Sequence, residues 1–174
     1  PRRSLFTRLL RALTGGGSDP SMTQPYGVTI GSDRRLYVTD TVGGVIHVFD
    51  LEKTAYSTLR LNFESLIGVA SLGDRLFVTD SASGRVAAID LQGRTVWTRG
   101  PQDGFERPTG IAAAPDRLYV ADTLKHRIVM LSTAGATLGA FGERGSLPGQ
   151  FNFPTNITLP SPGFAIVVSF NPAS

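Results

Sequence analysis

From Pro25 onward the chain consists of copies of one sequence unit, and this repetition restricts its fold more than any other feature. The first copy reads QPYGVTIGSDRRLYVTDTVGGVIHVFDLEKTAYSTL, the second SLIGVASLGDRLFVTDSASGRVAAIDLQGRTVWTRG and the third RPTGIAAAPDRLYVADTLKHRIVMLSTAGATLGAFG; a fourth begins FPTNITLPSPGFAIVVSFN. Matching residues recur after 40 to 42 positions. A period of this length predicts a repeat architecture in which each copy forms one supersecondary unit.

Each copy predicts four short strands separated by turns. In the third copy the strands are TGIAAA, RLYVAD, HRIVMLS and ATLGAFG, and Pro115-Asp116, TLKH and Ala134-Gly135 supply the turn signals. The strands are apolar on both faces, which is typical of a sheet covered on both sides. The sequence therefore predicts an all-β fold, a partial β-propeller of about three and a half four-stranded blades. The predicted blades are 25–65, 66–107, 108–153 and an incomplete 154–174.

Residues 1–24 form a separate basic arm with a glycine-rich linker. Its apolar residues recur at helical spacing with arginines on the other side, which predicts a short amphipathic helix that Gly15–Gly17 ends. This helix could dock on the domain through its leucines, or residues 2–13 could contact a membrane surface. We favour docking, since twelve residues are marginal for either role.

Composition excludes some chemistry and weakens one class of partner. The chain has no cysteine, which excludes disulfides, thiol catalysis and zinc–thiolate sites. Its net charge is +3, but residues 1–13 hold four arginines and no acid, so the remainder carries about −1. A basic pI would otherwise suggest nucleic acid, and the location of the charge argues against that partner.

The repeats resemble a known family. The pattern P-x-G-I/V-A, RLYVADT, HRIV and FG, followed by G-Q-F-N-x-P, is similar to the NHL repeat and covers residues 25–171. The resemblance implies a six-bladed propeller. The arm followed by QPYGV and RLYVTD also resembles bacterial NHL-type lipoproteins and exported propellers, which implies a periplasmic or cell-envelope location.

The chain departs from that family in length and in its last copy. Leaving a blade face bare would expose apolar surface worth on the order of 10 kcal/mol, and monomers rarely expose such patches. In the last copy, Val168 aligns with the repeated aspartate. We therefore expect the chain to be a piece of a longer propeller, with self-association of two half-rings through open blade faces as the alternative.

The residues that recur in every copy are predicted to be structural. Asp40, Asp80 and Asp122 each follow a strand and precede Thr or Ser, where a carboxylate can accept backbone N–H bonds and hold the turn. The recurrent glycines are assigned a structural role for the same reason, because every blade contains one; they are Gly27, Gly68 and Gly110.

Candidate chemistry outside the repeated positions is sparse. His47 lies in a third strand and His126 at a turn, so we do not expect them to share a metal ion, and the sequence predicts no metal or other cofactor. It contains no Gly-x-Ser-x-Gly nucleophile motif, and the loop GERGSLPGQ opens no helix that would bind phosphate. We assign no catalytic residue. Trp97, in a fourth strand, is predicted to pack under a neighbouring loop.

These observations favour a non-enzymatic binding or scaffold protein, with a protein, peptide or cell-envelope ligand contacted by the loops between strands. Lys125 and His126 fill a turn that the other copies fill with Gly43-Gly44 and Ser83-Gly84, so they are the candidate ligand contacts. One alternative is a metal-dependent lyase or hydrolase completed by other blades, as in some NHL-like propellers. Another is an RNA-binding propeller, although Tyr37, Phe77 and Tyr119 occupy equivalent strand positions typical of a core.

Overall fold

The computed structural model describes residues 22–161 and 164–169 as a row of antiparallel sheets. Three sheets have four strands each, in sequential order, and a fourth has two. The prediction of an all-β partial propeller is confirmed; the predicted helix of the arm lies outside the described residues. The strands are β1 Pro25–Ile30, β2 Arg35–Asp40, β3 Val45–Asp50, β4 Ala55–Arg60, β5 Leu66–Leu72, β6 Arg75–Asp80, β7 Arg85–Asp90, β8 Thr95–Arg99, β9 Pro108–Ala113, β10 Arg117–Asp122, β11 Arg127–Ser132, β12 Thr137–Phe141, β13 Pro154–Ser161 and β14 Phe164–Ser169.

The hydrophobic core is divided among the interfaces between successive blades. One cluster, which includes Tyr37 and Leu76, lies between the first and second blades. A second cluster around Phe77 and Leu118 joins the second blade to the third, and a smaller one around Ile157 joins the third to the fourth. Tyr37 and Phe77 are fully buried, which confirms their predicted place in the core.

The recurrent glycines lie where the first strand of one blade meets the first strand of the next. A Cβ atom at Gly27 would overlap the carbonyl oxygen of Ile67, and one at Gly68 would overlap that of Thr109. At Gly110 the same atom would overlap Asn156, which itself occupies the equivalent position of the fourth sheet. Close approach of neighbouring backbones therefore requires glycine at these three positions.

Strand pairing in the fourth sheet corrects the sequence alignment at Val168. The first residue of each sheet pairs with the last residue of the second strand, as in Pro25 with Asp40 and Pro108 with Asp122. In the fourth sheet Pro154 pairs with Ser169, and Val168 pairs with Asn156. Ser169, not Val168, therefore holds the place of the repeated aspartate. The error arose because the alignment used the third copy, whose first hairpin is one residue shorter.

Candidate functional site

Two sets of loops meet at one edge of the blades. The turns between second and third strands comprise residues 41–44, 81–84 and 123–126, and the loops entering or joining the blades comprise residues 22–24, 61–65, 100–107 and 142–153. Backbone hydrogen bonds join the two sets, for example from Ser81 to Ser65 at 3.0 Å and from Thr123 to Arg107 at 3.0 Å. We call this edge the crossover face.

A buried aspartate in each complete blade holds these loops together. Asp80 is 1% exposed and accepts hydrogen bonds from the backbone amides of Glu64 and Ser65, both at 2.9 Å, and from the Ser83 hydroxyl at 2.6 Å. Burial by itself would raise the pKa of Asp80, but these hydrogen bonds outweigh it and hold the pKa below its usual value. The carboxylate is therefore retained in its charged form at neutral pH.

The same geometry recurs in the first and third blades. Asp40 accepts from the amides of Thr23 at 2.6 Å and Gln24 at 3.1 Å. Asp122, fully buried, accepts from the amides of Glu106 at 3.2 Å and Arg107 at 2.9 Å. In all three blades the carboxylate thus accepts hydrogen bonds from the backbone amides of the two residues that directly precede the first strand. This is the geometry that a structural role for the three aspartates requires.

Each blade provides a different side-chain partner for its aspartate. In the second blade it is the hydroxyl of Ser83, in the third the guanidinium of Arg127 at 3.3 Å, and in the first the imidazole of His47 at 3.4 Å. The backbone contacts are therefore common to the repeat, while the side-chain contact differs between blades.

His47 forms a buried polar chain with two neighbours. Its Nε2 faces Asp40 and its Nδ1 lies 2.7 Å from the Tyr56 hydroxyl, with the two rings stacked. Burial lowers the pKa of His47, and the nearby Asp40 carboxylate only partly opposes this. The neutral imidazole thus donates from Nε2 to Asp40 and accepts at Nδ1 from Tyr56.

Threonine hydroxyls link neighbouring blades, a feature that the sequence analysis missed. Thr39 accepts from the amide of Gly27 at 2.8 Å and donates to the carbonyl of Ile67 in the next blade at 2.8 Å. Thr79 repeats both contacts, with Gly68 at 2.8 Å and with the carbonyl of Thr109. The signal was present as VTD in the first two copies.

The third blade makes the equivalent link with different residues. Ala121 stands where the first two blades have threonine. The hydroxyl of Thr109, on β9, donates instead to the carbonyl of Thr155 at 3.0 Å, and that of Thr123 donates to the carbonyl of Pro154 at 2.8 Å. A buried hydroxyl therefore joins each complete blade to the next even where the repeat loses its threonine.

The candidate contacts Lys125 and His126 both lie on the crossover face. The exposed ammonium of Lys125 donates to the carbonyl of Gly104 at 2.7 Å. His126 has a left-handed backbone, with φ of 53°, and its Nδ1 accepts the amide hydrogen of Phe153 at 3.2 Å. The two residues thus reach different loops, one at 100–107 and the other at 142–153.

The inner strands β1, β5, β9 and β13 line a groove of about 400 Å³ on the channel side. Its polar lining consists of hydroxyl groups such as those of Thr29 and Ser71, and of the Asn156 amide. Tyr26 is the one ionisable side chain among the residues that line it. This groove therefore presents a neutral surface.

Trp97 lies where the sequence analysis predicts it. The indole nitrogen of Trp97 donates to the carbonyl of Thr133 at 3.0 Å and its ring lies against Gly135, which confirms packing under a neighbouring loop.

His47 and His126 lie in the first and third blades. Within residues 22–161 and 164–169 no group of three His, Asp or Glu side chains is arranged to hold a metal ion. No helix in this part of the chain is long and apolar enough to cross a bilayer.

Comparison with known proteins places the fold. No protein-family model and no curated protein matches the sequence. Solved structures do match: virginiamycin B lyase from Staphylococcus aureus aligns with a TM-score of 0.69 at 18% identity, over 84% of this chain. The propeller in the nidogen/laminin complex aligns with a TM-score of 0.62 at 23% identity over 79% of this chain, and BamB from Moraxella catarrhalis with 0.60 at 16% over 82%.

The fold is that of a β-propeller. The chain spans 49% of the length of the lyase, 53% of the nidogen chain and 40% of BamB. These neighbours include an enzyme and a protein solved in complex with another protein, so the shared fold does not assign one activity. The NHL resemblance is not confirmed by these comparisons.

Proposed function

We propose that this chain belongs to a non-enzymatic binding or scaffold propeller of the NHL type, which recognises a protein or peptide through the crossover face. One contrast carries the proposal. The same buried carboxylate contacts hold the loops of this face in each blade, whereas the exposed side chains of the turns differ between blades. Asp40, Asp80 and Asp122 bind its loops in the same way in each blade. A rigid scaffold that positions variable loops is a common way to build a binding surface.

The exposed residues of the turns differ between blades. The first turn exposes Val42, which is 48% exposed, and the third exposes Leu124, which is 41% exposed, beside the ammonium of Lys125. Single apolar side chains next to a charged group resemble the mixed chemistry of protein-binding surfaces. Lys125 and His126 remain our candidates for ligand contact, and the resemblance to exported propellers supports a cell-envelope ligand and a six-bladed complete ring.

A displayed random-peptide library provides a test that needs no prior ligand. Peptides selected against the immobilised protein are measured by calorimetry against three proteins: the unchanged chain, K125E and a control, Q92E. Gln92 is exposed in the β7–β8 turn, at the opposite edge of the blades.

We expect selected peptides to lose about tenfold or more in affinity for K125E. A peptide group that is attracted to the Lys125 ammonium would be repelled by the carboxylate that replaces it. Binding to Q92E should not change. Equal binding to all three proteins, or loss confined to Q92E, would contradict the assignment of the crossover face.

A further inference from the structure

The outer strand of the first blade differs from the outer strands of the next two in how it is paired. β4 pairs with β3 residue by residue from Ala55 to Arg60, with no shift in register. In the second and third blades the register shifts, which leaves Val96 in β8 and Leu138 in β12 as the extra residue of a β-bulge. A bulge twists an edge strand and disrupts the ladder that another strand would extend. Of the three complete sheets that the structure describes, the first therefore has the regular outer edge.

The hydrogen-bond pattern shows which backbone groups of β4 face outward. The amide nitrogen of Leu61 donates to the carbonyl of Gly44 at 2.8 Å, so these two residues form a hydrogen-bonded pair. Such pairs alternate along an antiparallel ladder with pairs that do not bond to each other. Thr58 and Arg60 belong to the second kind, so their N–H and C=O groups point away from β3. Within residues 22–161 and 164–169, no backbone group of another element bonds to them.

The side chains of β4 leave this edge suitable for pairing. Natural proteins often protect an edge strand with lysine, proline or an inward-pointing charge. β4 reads AYSTLR, in which the one charged residue, Arg60, lies at the end of the strand. Thr58 is uncharged, and Leu59 packs against the core cluster between the first and second blades. The edge is therefore both regular and held in place by the core.

We propose that a second copy of this chain pairs with β4 across a two-fold axis, so that the two β4 strands run antiparallel and join two first blades into one continuous sheet. The outward groups of Thr58 then bond to those of Thr58 in the second copy, and Arg60 lies opposite Tyr56. Threonines directly opposite each other are a favourable cross-strand pair, and this register places no like charges face to face. The strand is thus complementary to itself, as an isologous interface requires.

This pairing leaves both crossover faces accessible and turns them in opposite directions. β4 ends at the loop 61–65, which belongs to the crossover face, and begins at the opposite edge of the blade. Because the two strands run antiparallel, the crossover face of one copy lies level with the opposite edge of the other. The dimer therefore presents two ligand surfaces. This inference goes beyond the proposed function and does not depend on it, since the pairing involves no residue of the crossover face.

Sedimentation equilibrium of the full chain, across a wide range of protein concentration and without ligand, tests the pairing. We expect the average mass to rise from that of one chain to that of two. Thr58→Lys places two ammonium groups side by side at the two-fold axis and should weaken the dimer about tenfold or more. Thr98→Lys is the matched control, because Thr98 pairs with Ala87 in the second blade as Thr58 pairs with His47 in the first. It should leave the dissociation constant of the dimer unchanged.

Amide hydrogen exchange of the unchanged protein provides a second measurement that needs no variant. The outward amide of Thr58 should be protected at high protein concentration and should lose this protection on dilution. The amide of Leu59, which faces β3, should stay protected at both concentrations. A Thr58 amide whose exchange rate does not depend on concentration would contradict the pairing.

A chain that stays monomeric over the whole concentration range would overturn the proposal, as would a dimer that Thr58→Lys and Thr98→Lys weaken equally. Val28→Lys tests association through open blade faces, because Val28 is 61% exposed on β1. A dimer lost in Val28→Lys and retained in Thr58→Lys would assign the interface to those faces instead of β4. Peptide binding that does not depend on Lys125 would contradict the proposed function and leave the dimer result intact.

Discussion

The hydroxyl of Thr39 lies 2.8 Å from the carbonyl oxygen of Ile67 and joins the first blade to the second. The hydroxyl oxygen of Thr39 also accepts the amide hydrogen of Gly27 at 2.8 Å, so one buried hydroxyl satisfies two backbone groups in different blades. Apolar contact alone does not specify how two sheets are oriented. A directional hydrogen bond between their inner strands does, and it explains why the link is maintained by Thr109 where the third blade has Ala121.

Replacing Thr39 by valine should lower the free energy of unfolding by about 1–3 kcal/mol, because two partly buried backbone groups, the Gly27 amide and the Ile67 carbonyl, lose their partner while the side-chain volume is preserved. The measurement is urea unfolding followed by circular dichroism. Thr39→Ser, which keeps the hydroxyl, is the control and should lose much less. Equal losses in the two variants would mean that the methyl group, not the hydroxyl, stabilises the interface.

Asp122→Ala should destabilise the protein by about 2–4 kcal/mol, since the amides of Glu106 and Arg107 lose a buried charged acceptor and Arg127 loses its ion-pair partner. A thermal melt provides the measurement. Asp116→Ala removes an exposed carboxylate from the opposite edge and should leave the melting temperature unchanged. Peptide affinity measured below the melting temperature should also be retained by Asp122→Ala; a large affinity loss at unchanged stability would indicate a direct binding role.

Stability should depend on pH through His47. Burial lowers the pKa of His47 below its usual value, which is about 6.5 for an unperturbed histidine. The unfolded chain therefore takes up this proton at higher pH than the folded chain. The free energy of unfolding should consequently fall as the pH drops below about 6.5.

The variant His47→Gln isolates this effect, because glutamine is polar but does not titrate. Denaturant unfolding between pH 7.5 and 5 should show a steeper loss in the unchanged protein than in the variant. The window stays above the range where Asp40, whose pKa is lowered by its hydrogen bonds despite burial, would protonate. If the free energy of unfolding fell in parallel with pH for the two proteins, His47 would have the same pKa in the folded and the unfolded chain.

Gly110→Ala should destabilise the interface between the third and fourth blades by about 1–3 kcal/mol, because the added Cβ would overlap the backbone of Asn156. Gly100→Ala is a suitable control, since its Cβ would meet the flexible end of the Gln102 side chain and make ordinary contact with the Arg85 side chain, but would overlap no backbone atom. Urea unfolding of both variants provides the comparison. A Gly110→Ala protein as stable as the control would show that the blades can separate without cost.

The sequence by itself determined the number and order of the strands. A 40 to 42 residue period with four turn-separated apolar runs leaves a stack of four-stranded sheets as the consistent architecture, and the positions of Tyr37, Phe77 and Trp97 followed from it. Local signals suffice here, because strand length, turns and hydrophobic pattern are all encoded within one copy.

Only the tertiary structure decided how the blades are joined and what the turns contact. The transfer of the linking hydroxyl from β10 to Thr109, the pairing of Pro154 with Ser169 and the contact of His126 with Phe153 all connect residues that are distant in sequence. Their partners depend on the packing of one sheet on the next and on hairpin lengths that differ by a single residue. A repeat pattern aligns equivalent positions, but it does not show which neighbour each side chain reaches once the sheets are packed.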